Sequence, residues 1–407
     1  MTPLSLACTN GNAAMVKLLL DAGADANEAL PGGETALMTA SRTGEIETVR
    51  ALLARGAGPN AKEERHGQTA IMWAAAENHA AVVEELIKAG ADFKSSVDSG
   101  FTPFLFAVRE GHIATAKVLL RAGVDVNAPM EPQRTGGRRG SYGRPRGGTS
   151  ALLLAASNAH YELAAVLLDA GADPNAAEPG YTTLHAIPSV RNPGIGDNDP
   201  PPPGSGSMTS IEFVKKLAAK GANLNARMTK QVDLGNTRLN KLGATPYFLA
   251  AQSADAGLMR ALAELGADPL LKNSENSTPL MAIAGIGTRS PGEDAGSEEE
   301  MIEAMQLALD LGDDINAVDD NGETAMHGAA YKNSPLAVEF LDAKGAGPAI
   351  WNRKNVHGWT PLSIADGYRF GNFKPSPVTV EAILKVMAAH GLSRPLGGEP
   401  VKGKEIY

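Results

Sequence analysis

Small apolar residues and glycines form a pattern that returns about every 33 residues along the chain. Thr2, Thr35, Thr69 and Thr102 each open a short segment rich in Ala and apolar residues, and the steps between them are 33, 34 and 33 residues. A Gly or Asn then precedes a second segment with apolar residues at positions i, i+3 and i+4. That spacing is typical of amphipathic helices. The pattern therefore predicts repeated pairs of short helices.

Residues suited to capping stand at the ends of these predicted helices. The opening Thr can accept a hydrogen bond from a backbone N–H of the first turn. In several units a proline follows it, at a position where the missing N–H is harmless. Each second helix ends at a glycine suited to left-handed backbone. The openings predict ten units, which start near Thr2, Thr35, Thr69, Thr102, Ser150, Thr182, Thr245, Thr278, Thr324 and Thr360.

After each terminal glycine the chain reads Ala-Asp-x-Asn or a close variant, as at Ala24, Asp25 and Asn27. The order of Thr-Pro-Leu, paired alanines, Leu-Leu and Gly-Ala-Asp, with this period, resembles the ankyrin repeat. The resemblance covers residues 2–392 and implies an all-α solenoid of about ten helix-turn-helix units joined by finger hairpins. Residues 393–407 would form a C-terminal tail. The resemblance extends to bacterial multi-repeat ankyrin proteins. We therefore expect that an N-terminal leader and first repeats are missing.

Five insertions interrupt the period. Two enlarge fingers, at 128–148 and 227–243, and are rich in Arg and Lys. Three enlarge the turn between the two helices, at 188–210, 285–300 and 367–377, and the first two of these are net acidic. Since fingers and turns would lie at opposite edges of the stack, we expect a basic and an acidic edge. Insertions of this composition are also typical of plain solvated loops.

Composition and charge exclude several classes of function. The chain has 407 residues, with 37 basic against 46 acidic side chains and a net charge of −9, which disfavours general nucleic-acid binding. Cys8 is the single cysteine, so an internal disulfide or a cysteine-based zinc site is excluded. No apolar run is long enough to span a membrane. The sequence does not identify the compartment, which would be cytoplasmic for the chain as written and periplasmic if an N-terminal leader is missing.

No catalytic or metal-binding pattern stands out in the sequence. The segment 319–323 resembles a calcium loop, but Ala317 and Gly328 would occupy its first and last ligand positions. The histidines form no H-E-x-x-H motif, and Cys8 is expected to be a small buried apolar residue. We therefore expect no enzyme activity, no metal and no cofactor. A hidden enzyme would require converging acid and base groups in a pocket.

The resemblance implies a monomer that binds another protein, of unknown identity, through a concave strip. In ankyrin repeats this strip comprises the fingertips, the residue before each Thr and the exposed end of each inner helix. Tyr, Trp and Arg are frequent in binding hot spots. Trp73 lies one residue beyond the position of the usual His, so we expect it to pack half-buried. The candidate residues are Glu34, Arg42, Arg65, His66, Gln68, Glu77, Phe101, Arg109, Glu110, Tyr181, Tyr331, Lys332, His357 and Trp359.

An alternative function uses the enlarged finger within 131–148. Its arginines could contact nucleic acid or another anionic ligand, although one basic segment in an acidic protein is a weak signal. Taken one at a time, each candidate residue in either set is also consistent with an ordinary surface side chain. The basic finger residues are Arg134, Arg138, Arg139, Arg144 and Arg146.

Overall fold

Helices form all of the regular secondary structure that the computed structural model describes, apart from two isolated β-bridges. The expected all-α fold class is therefore confirmed. The structure describes residues 2–131, 147–194, 201–232, 237–369, 371 and 374–394.

The chain divides into two compact units. Unit 1 comprises Met1–Pro179 and Pro203–Met208, and unit 2 comprises Gly180–Pro202 and Thr209–Tyr407. Each unit has its own rows of helices and its own buried core, so each is described by itself.

In unit 1 the helices alternate between an inner row and an outer row. Neighbouring helices pack within each row, and each inner helix packs against its outer partner. Ala40, Ala74 and Ala155 are completely buried in the inner row, where a small side chain lets two helices approach closely. The inner row is α1 (Pro3–Thr9), α3 (Ala36–Thr43), α5 (Ala70–Ala76), α7 (Pro103–Arg109) and α9 (Ala151–Ser157), and the outer row is α2 (Ala13–Asp21), α4 (Ile46–Ala54), α6 (Ala80–Lys88), α8 (Ile113–Arg121) and α10 (Tyr161–Asp169).

Unit 2 follows the same plan. A short extra helix, α19 (Pro348–Trp351), precedes its last pair, and the completely buried Trp351 lies in it. The inner row is α11 (Thr183–Arg191), α13 (Pro246–Gln252), α15 (Pro279–Ala284), α17 (Ala325–Lys332) and α20 (Pro361–Ala365), and the outer row is α12 (Ser210–Ala219), α14 (Ala256–Glu264), α16 (Glu298–Asp310), α18 (Pro335–Ala343) and α21 (Pro377–Ala389).

Capping follows the sequence expectation at most inner helices, whereas the hydroxyl of Thr69 makes no capping hydrogen bond at α5. The hydroxyl of Thr35 accepts a hydrogen bond from the backbone N–H of Met38 at 3.3 Å, and Thr2 caps α1 in the same way at 3.1 Å. At α11 an imidazole adds to the cap, since the backbone N–H of Thr182 donates to Nδ1 of His185 at 3.1 Å. These bonds satisfy donors that a helix start otherwise leaves unpaired.

A tight turn with two backbone hydrogen bonds forms the base of the fingers. In unit 1, Val97 N–H donates to Phe101 O at 3.0 Å and Gly100 N–H donates to Val97 O at 2.8 Å, with Asp98 and Ser99 between them. The same two bonds join Asn355, Gly358 and Trp359 in unit 2. The turn places the residue before each capping Thr at a constant position relative to the inner helix.

Both enlarged fingers keep this turn and insert their extra residues inside it. Met130 pairs with Thr149 and Gly148, and Met228 pairs with Ala244 and Gly243, through the same two bonds. The base of each enlarged finger is therefore closed in the same way as in an ordinary finger. The count of ten repeats and their start positions stay a prediction.

Cationic and imidazole side chains satisfy the carbonyl ends of several inner helices. Nε2 of His79 donates to Arg42 O at 2.9 Å, where α3 ends, and Nε2 of His112 donates to Ala76 O at 2.9 Å. At the end of α17, the donor is Arg369, which belongs to the turn insertion at 367–377. Its Nη1 donates to Tyr331 O at 2.6 Å. A cation at a helix C-terminus is favoured by the helix dipole.

Two left-handed glycines in unit 1 provide a matched test of this packing. Gly44 and Gly56 have φ of +80° and +81°, but a Cβ on Gly44 would lie 2.4 Å from Cε1 of His79, whereas nothing lies within 4 Å of one on Gly56. We expect Gly56→Ala to cost about 1 to 2 kcal/mol from backbone strain alone. Gly44→Ala should cost clearly more, because His79 must also move. Urea unfolding of both variants measures this, and equal losses would contradict the packing.

Candidate partner-binding surface

The candidate binding surface comprises the residue before each capping Thr or Ser, the fingertips, and the exposed ends of the inner helices. In unit 1 its first feature is a stack of Arg42 on Trp73. The Arg42 guanidinium lies 5.0 Å from the centre of the indole, and Trp73 Nε1 donates to Gln68 Oε1 at 3.0 Å. Glu34 lies 3.8 Å from Arg42, whose side chain is 47% exposed. The stack therefore presents an ordered cation to solvent.

A second stack lies on Arg109 of α7. Its guanidinium is 5.2 Å from the ring centre of Phe101 and 5.4 Å from that of Phe106, and the two rings are 5.3 Å apart. Nε of Arg109 also donates to Glu110 at 2.7 Å, and both of these charged side chains are 42% exposed. The expectation that Phe101 is exposed is wrong. Its ring is buried against Phe106 and supports Arg109 from below.

The fingertip at Arg65 and His66 is held by one buried carboxylate. Glu63 accepts hydrogen bonds from the backbone N–H groups of Arg65, His66 and Gln68 at 2.7, 2.8 and 3.0 Å. The side chains of Arg65 and His66 are exposed on this fixed backbone, and Glu77 is exposed at the end of α5. Sequence analysis selected these residues as candidates, and the structure places them at the surface.

In unit 2 the expected exposure of Tyr331 and Trp359 is wrong. Trp359 is 1% exposed and Tyr331 4% exposed. The Tyr331 hydroxyl donates to Glu323 Oε1 at 2.8 Å, and Nδ2 of Asn355 donates to the same oxygen at 2.7 Å. The two aromatic residues belong to the interior because the finger beside them brings Asn355 and Glu323 into one buried hydrogen-bonded group.

Glu323 is the buried carboxyl at the centre of this group. Burial raises its pKa to about 7, although the hydrogen bonds from Tyr331 and Asn355 act in the opposite direction. The carboxylate of Asp319, which is also buried, contributes to the increase. Of this group only Tyr331 was among the candidate residues, and Glu323 was not.

The remaining candidates of unit 2 occupy different environments. Nζ of the half-buried Lys332 donates to Ala295 O at 3.1 Å. This bond connects α17 to the turn insertion at 285–300. His357 is exposed and its ring lies 5.0 Å from that of Trp359. Tyr181 packs against a buried apolar cluster to which the enlarged finger contributes.

The enlarged finger of unit 2 contacts the enlarged turn, which corrects the expectation that the two lie at opposite edges. Thr237 and Thr288 form an antiparallel β-bridge, and the backbone N–H of Arg238 donates to Gly287 O at 2.8 Å. The described part of the finger insertion therefore packs against residues of α13 and α15 and reaches the turn that follows α15. The arginines of the other enlarged finger, Arg134, Arg138, Arg139, Arg144 and Arg146, lie outside the described residues.

Trp73 is half-buried, as its position in the sequence predicts, whereas Phe106 was not among the candidate residues. Each follows its capping Thr by four positions and carries an arginine from the binding surface. An aromatic residue at that position, with an arginine at the end of an inner helix, is the signal that could have identified both stacks.

Chemical sites other than this surface find little support in the described part of the chain. There, no group of three or more His, Cys, Asp or Glu side chains is arranged to hold a metal ion. Cys8 is buried, and burial raises the pKa of its thiol to about 11. Within the same residues, no helix is both long and apolar enough to cross a membrane.

Profiles of known families match the N-terminal part of the chain. The family described as Ankyrin repeats (3 copies) matches residues 1–63 and 57–130, and the family described as Ankyrin repeat matches residues 147–178. The crystal structure of the human ASB11 ankyrin repeat domain superimposes with a TM-score of 0.50 at 22% identity, over 66% of this chain and 100% of that one. That similarity concerns the fold.

Curated relatives share short stretches with the chain. The human Ankyrin repeat and KH domain-containing protein 1 is 39% identical over 103 residues, 25% of this chain and 4% of that protein. The E3 ubiquitin-protein ligase XBAT33 of Arabidopsis thaliana is 37% identical over 95 residues, 23% of this chain and 18% of that protein. The chain thus spans less than a fifth of the length of either relative, and a bacterial source stays a prediction.

We expect Trp359→Ala to destabilise unit 2 by about 3 to 5 kcal/mol, since it removes a large side chain from a packed interior. His357→Ala is the matched control, because it removes the exposed neighbour of the same finger. Thermal unfolding should show a large loss for the first variant and a small one for the second. Similar losses for both would place Trp359 at the surface instead.

The free energy of unfolding should depend on pH through Glu323. A carboxyl with a pKa raised to about 7 in the folded chain keeps its proton there after the unfolded chain has lost it, so its contribution is full below about pH 4.5 and disappears as the pH rises through 7. Glu323→Gln should therefore gain stability relative to the natural protein over this range, by on the order of 3 kcal/mol. Burial also lowers the pKa of His185 and of His327 to about 4. Their contributions to the pH dependence are the same in both proteins and cancel when the two free energies of unfolding are subtracted. A pH-independent difference from urea unfolding would contradict the burial of an ionisable group.

Proposed function

Because this chain belongs to the ankyrin repeat family, we propose that it is a non-enzymatic protein that binds another protein through the binding surface of unit 1. Ankyrin repeats generally mediate protein–protein interaction. The observation that supports the location is the pair of exposed cation–aromatic stacks, Arg42 on Trp73 and Arg109 on Phe101 and Phe106.

These stacks suit a binding role for a physical reason. Association is opposed by the entropy lost when flexible side chains are ordered at an interface. Arg42 and Arg109 already rest on aromatic rings, so a partner that accepts hydrogen bonds from them has little ordering to induce. Carboxylates of the partner would be the natural acceptors, since a guanidinium binds them through two parallel hydrogen bonds.

The fingertips extend the same surface. Arg65 and His66 project from a turn that Glu63 holds by three backbone hydrogen bonds. A rigid fingertip beside two ordered arginines supports a partner segment that lies across several inner helices. Binding of nucleic acid or another anion by the residues within 131–148 stays a prediction of the sequence.

The partner can be captured and the surface tested with matched variants. A photo-crosslinking residue in place of His66 should capture the partner, whereas one in place of the exposed Lys88 on α6 should not. With the purified partner, Arg42→Ala together with Arg109→Ala should weaken binding at least tenfold, or about 1.4 kcal/mol.

The control for this loss removes two cations from the outer row of the same unit, through Lys88→Ala together with Arg121→Ala. Lys88 and Arg121 are also exposed and paired with glutamates, so the change in net charge is the same. Binding by this control should stay within twofold of the natural protein in a titration. Equal losses in the two double variants would show that only net charge matters and would contradict the proposed surface.

A further inference from the structure

The enlarged finger of unit 2 behaves as a segment bound to the chain's own binding surface. We call its described residues, 228–232 and 237–243, the strap. At its base, Met228 N–H donates to Ala244 O at 2.9 Å and Gly243 N–H donates to Met228 O at 2.8 Å, as in an ordinary finger. Beyond this base the strap reaches the turn after α15.

Apolar side chains of the strap are buried on the inner helices. Val232 is 4% exposed and Leu239 2% exposed, although both belong to an insertion that the finger turn does not require. Burial of a large aliphatic side chain contributes roughly 1.5 to 3 kcal/mol. The cluster that they join comprises Met228, Ala244, Phe248, Leu249, Met281, Ala282, Ile286 and Ala317, with Tyr181 packed against it.

One backbone and one side-chain hydrogen bond hold the far end of the strap. Gly287 O accepts from the backbone N–H of Arg238 at 2.8 Å and from the Thr237 hydroxyl at 3.1 Å. Gly287 has a φ of +80°, and a Cβ there would lie 2.3 Å from the Leu239 nitrogen. The turn insertion is therefore shaped to let the strap backbone approach closely.

The strap occupies in unit 2 the surface that carries the exposed stacks in unit 1. It lies on α13 and α15, which are inner helices, and it adds buried side chains and one bridge of main-chain hydrogen bonds. Side chains in apolar contacts combined with main-chain hydrogen bonds are the means by which proteins recognise an extended peptide.

We propose that the surface formed by α13, α15 and residues 285–288 is a binding site for an extended segment with separated apolar side chains, and that the strap occupies it as an internal ligand through Val232 and Leu239. The intact chain is thereby closed to such segments of other proteins at this site. The proposal does not depend on the partner of unit 1, because it concerns different helices and a ligand that belongs to the chain.

An ordinary finger of the chain provides the design of the test. In the ordinary finger, Asp98 and Ser99 connect Val97 to Gly100. In the enlarged finger, Thr229–Leu242 connect Met228 to Gly243, which are the equivalent positions. Replacement of Thr229–Leu242 by Asp-Ser should remove the strap and keep the finger base. A fluorescein-labelled synthetic peptide with the sequence of residues 228–243 should then bind the shortened chain saturably.

The same peptide should bind the intact chain at least tenfold more weakly, because the site is filled. A peptide carrying Val232→Asp and Leu239→Asp should not bind the shortened chain. A shortened chain with natural helicity and cooperative unfolding that does not bind the peptide would overturn the proposal. Equal binding by the intact and shortened chains would overturn it as well.

Amide hydrogen exchange in the intact protein tests whether the strap is bound to the inner helices. This measurement does not require the shortened chain to fold. The Arg238 amide should exchange at least a hundredfold more slowly than in the free peptide. Leu239→Asp should remove this protection, whereas Leu242→Asp should keep it, since Leu242 is 39% exposed. An unprotected Arg238 amide in the intact chain would show that the strap is not bound and would overturn the proposal.

Discussion

Two backbone hydrogen bonds, found at the base of eight fingers in the described part of the chain, are the constraint on which the proposed binding surface depends. They close a turn of a few residues and place the residue before the capping Thr against the inner helix. Gln68, Phe101, Glu323 and Trp359 all stand at that position. Gln68 and Phe101 support exposed arginine stacks, whereas Glu323 and Trp359 belong to the interior. Main-chain geometry therefore fixes the position, while the side chain and its neighbours decide whether the position serves the surface or the interior.

The same plan yields two kinds of surface within one chain. In unit 1 the rings of Trp73 and Phe106 support Arg42 and Arg109, which remain open to solvent. In unit 2 the corresponding helices hold apolar side chains that the strap covers. A finger tolerates such an insertion because its base is closed by its own hydrogen bonds, and the entropic cost of a longer loop grows only slowly with length.

Residues of the insertions also stabilise the repeat helices. Arg369 satisfies the carbonyl end of α17, where His79 and His112 serve the equivalent ends of inner helices in unit 1. Burial lowers the pKa of the Arg369 guanidinium to about 10, which leaves it charged at neutral pH. The insertions therefore contribute packing and hydrogen bonds as well as length.

The sequence by itself determined the helix pairs, most of their caps and the all-α class, because capping bonds, left-handed glycines and amphipathic spacing are local and recur along the chain. It also identified Arg42, Arg65 and Arg109 as surface residues. The burial of Tyr331 and Trp359 and the path of the strap were decided only by the tertiary structure. Both depend on contacts between segments far apart in the chain, as between Arg238 and Gly287, and a period of 33 residues carries no information about which distant segments an insertion meets.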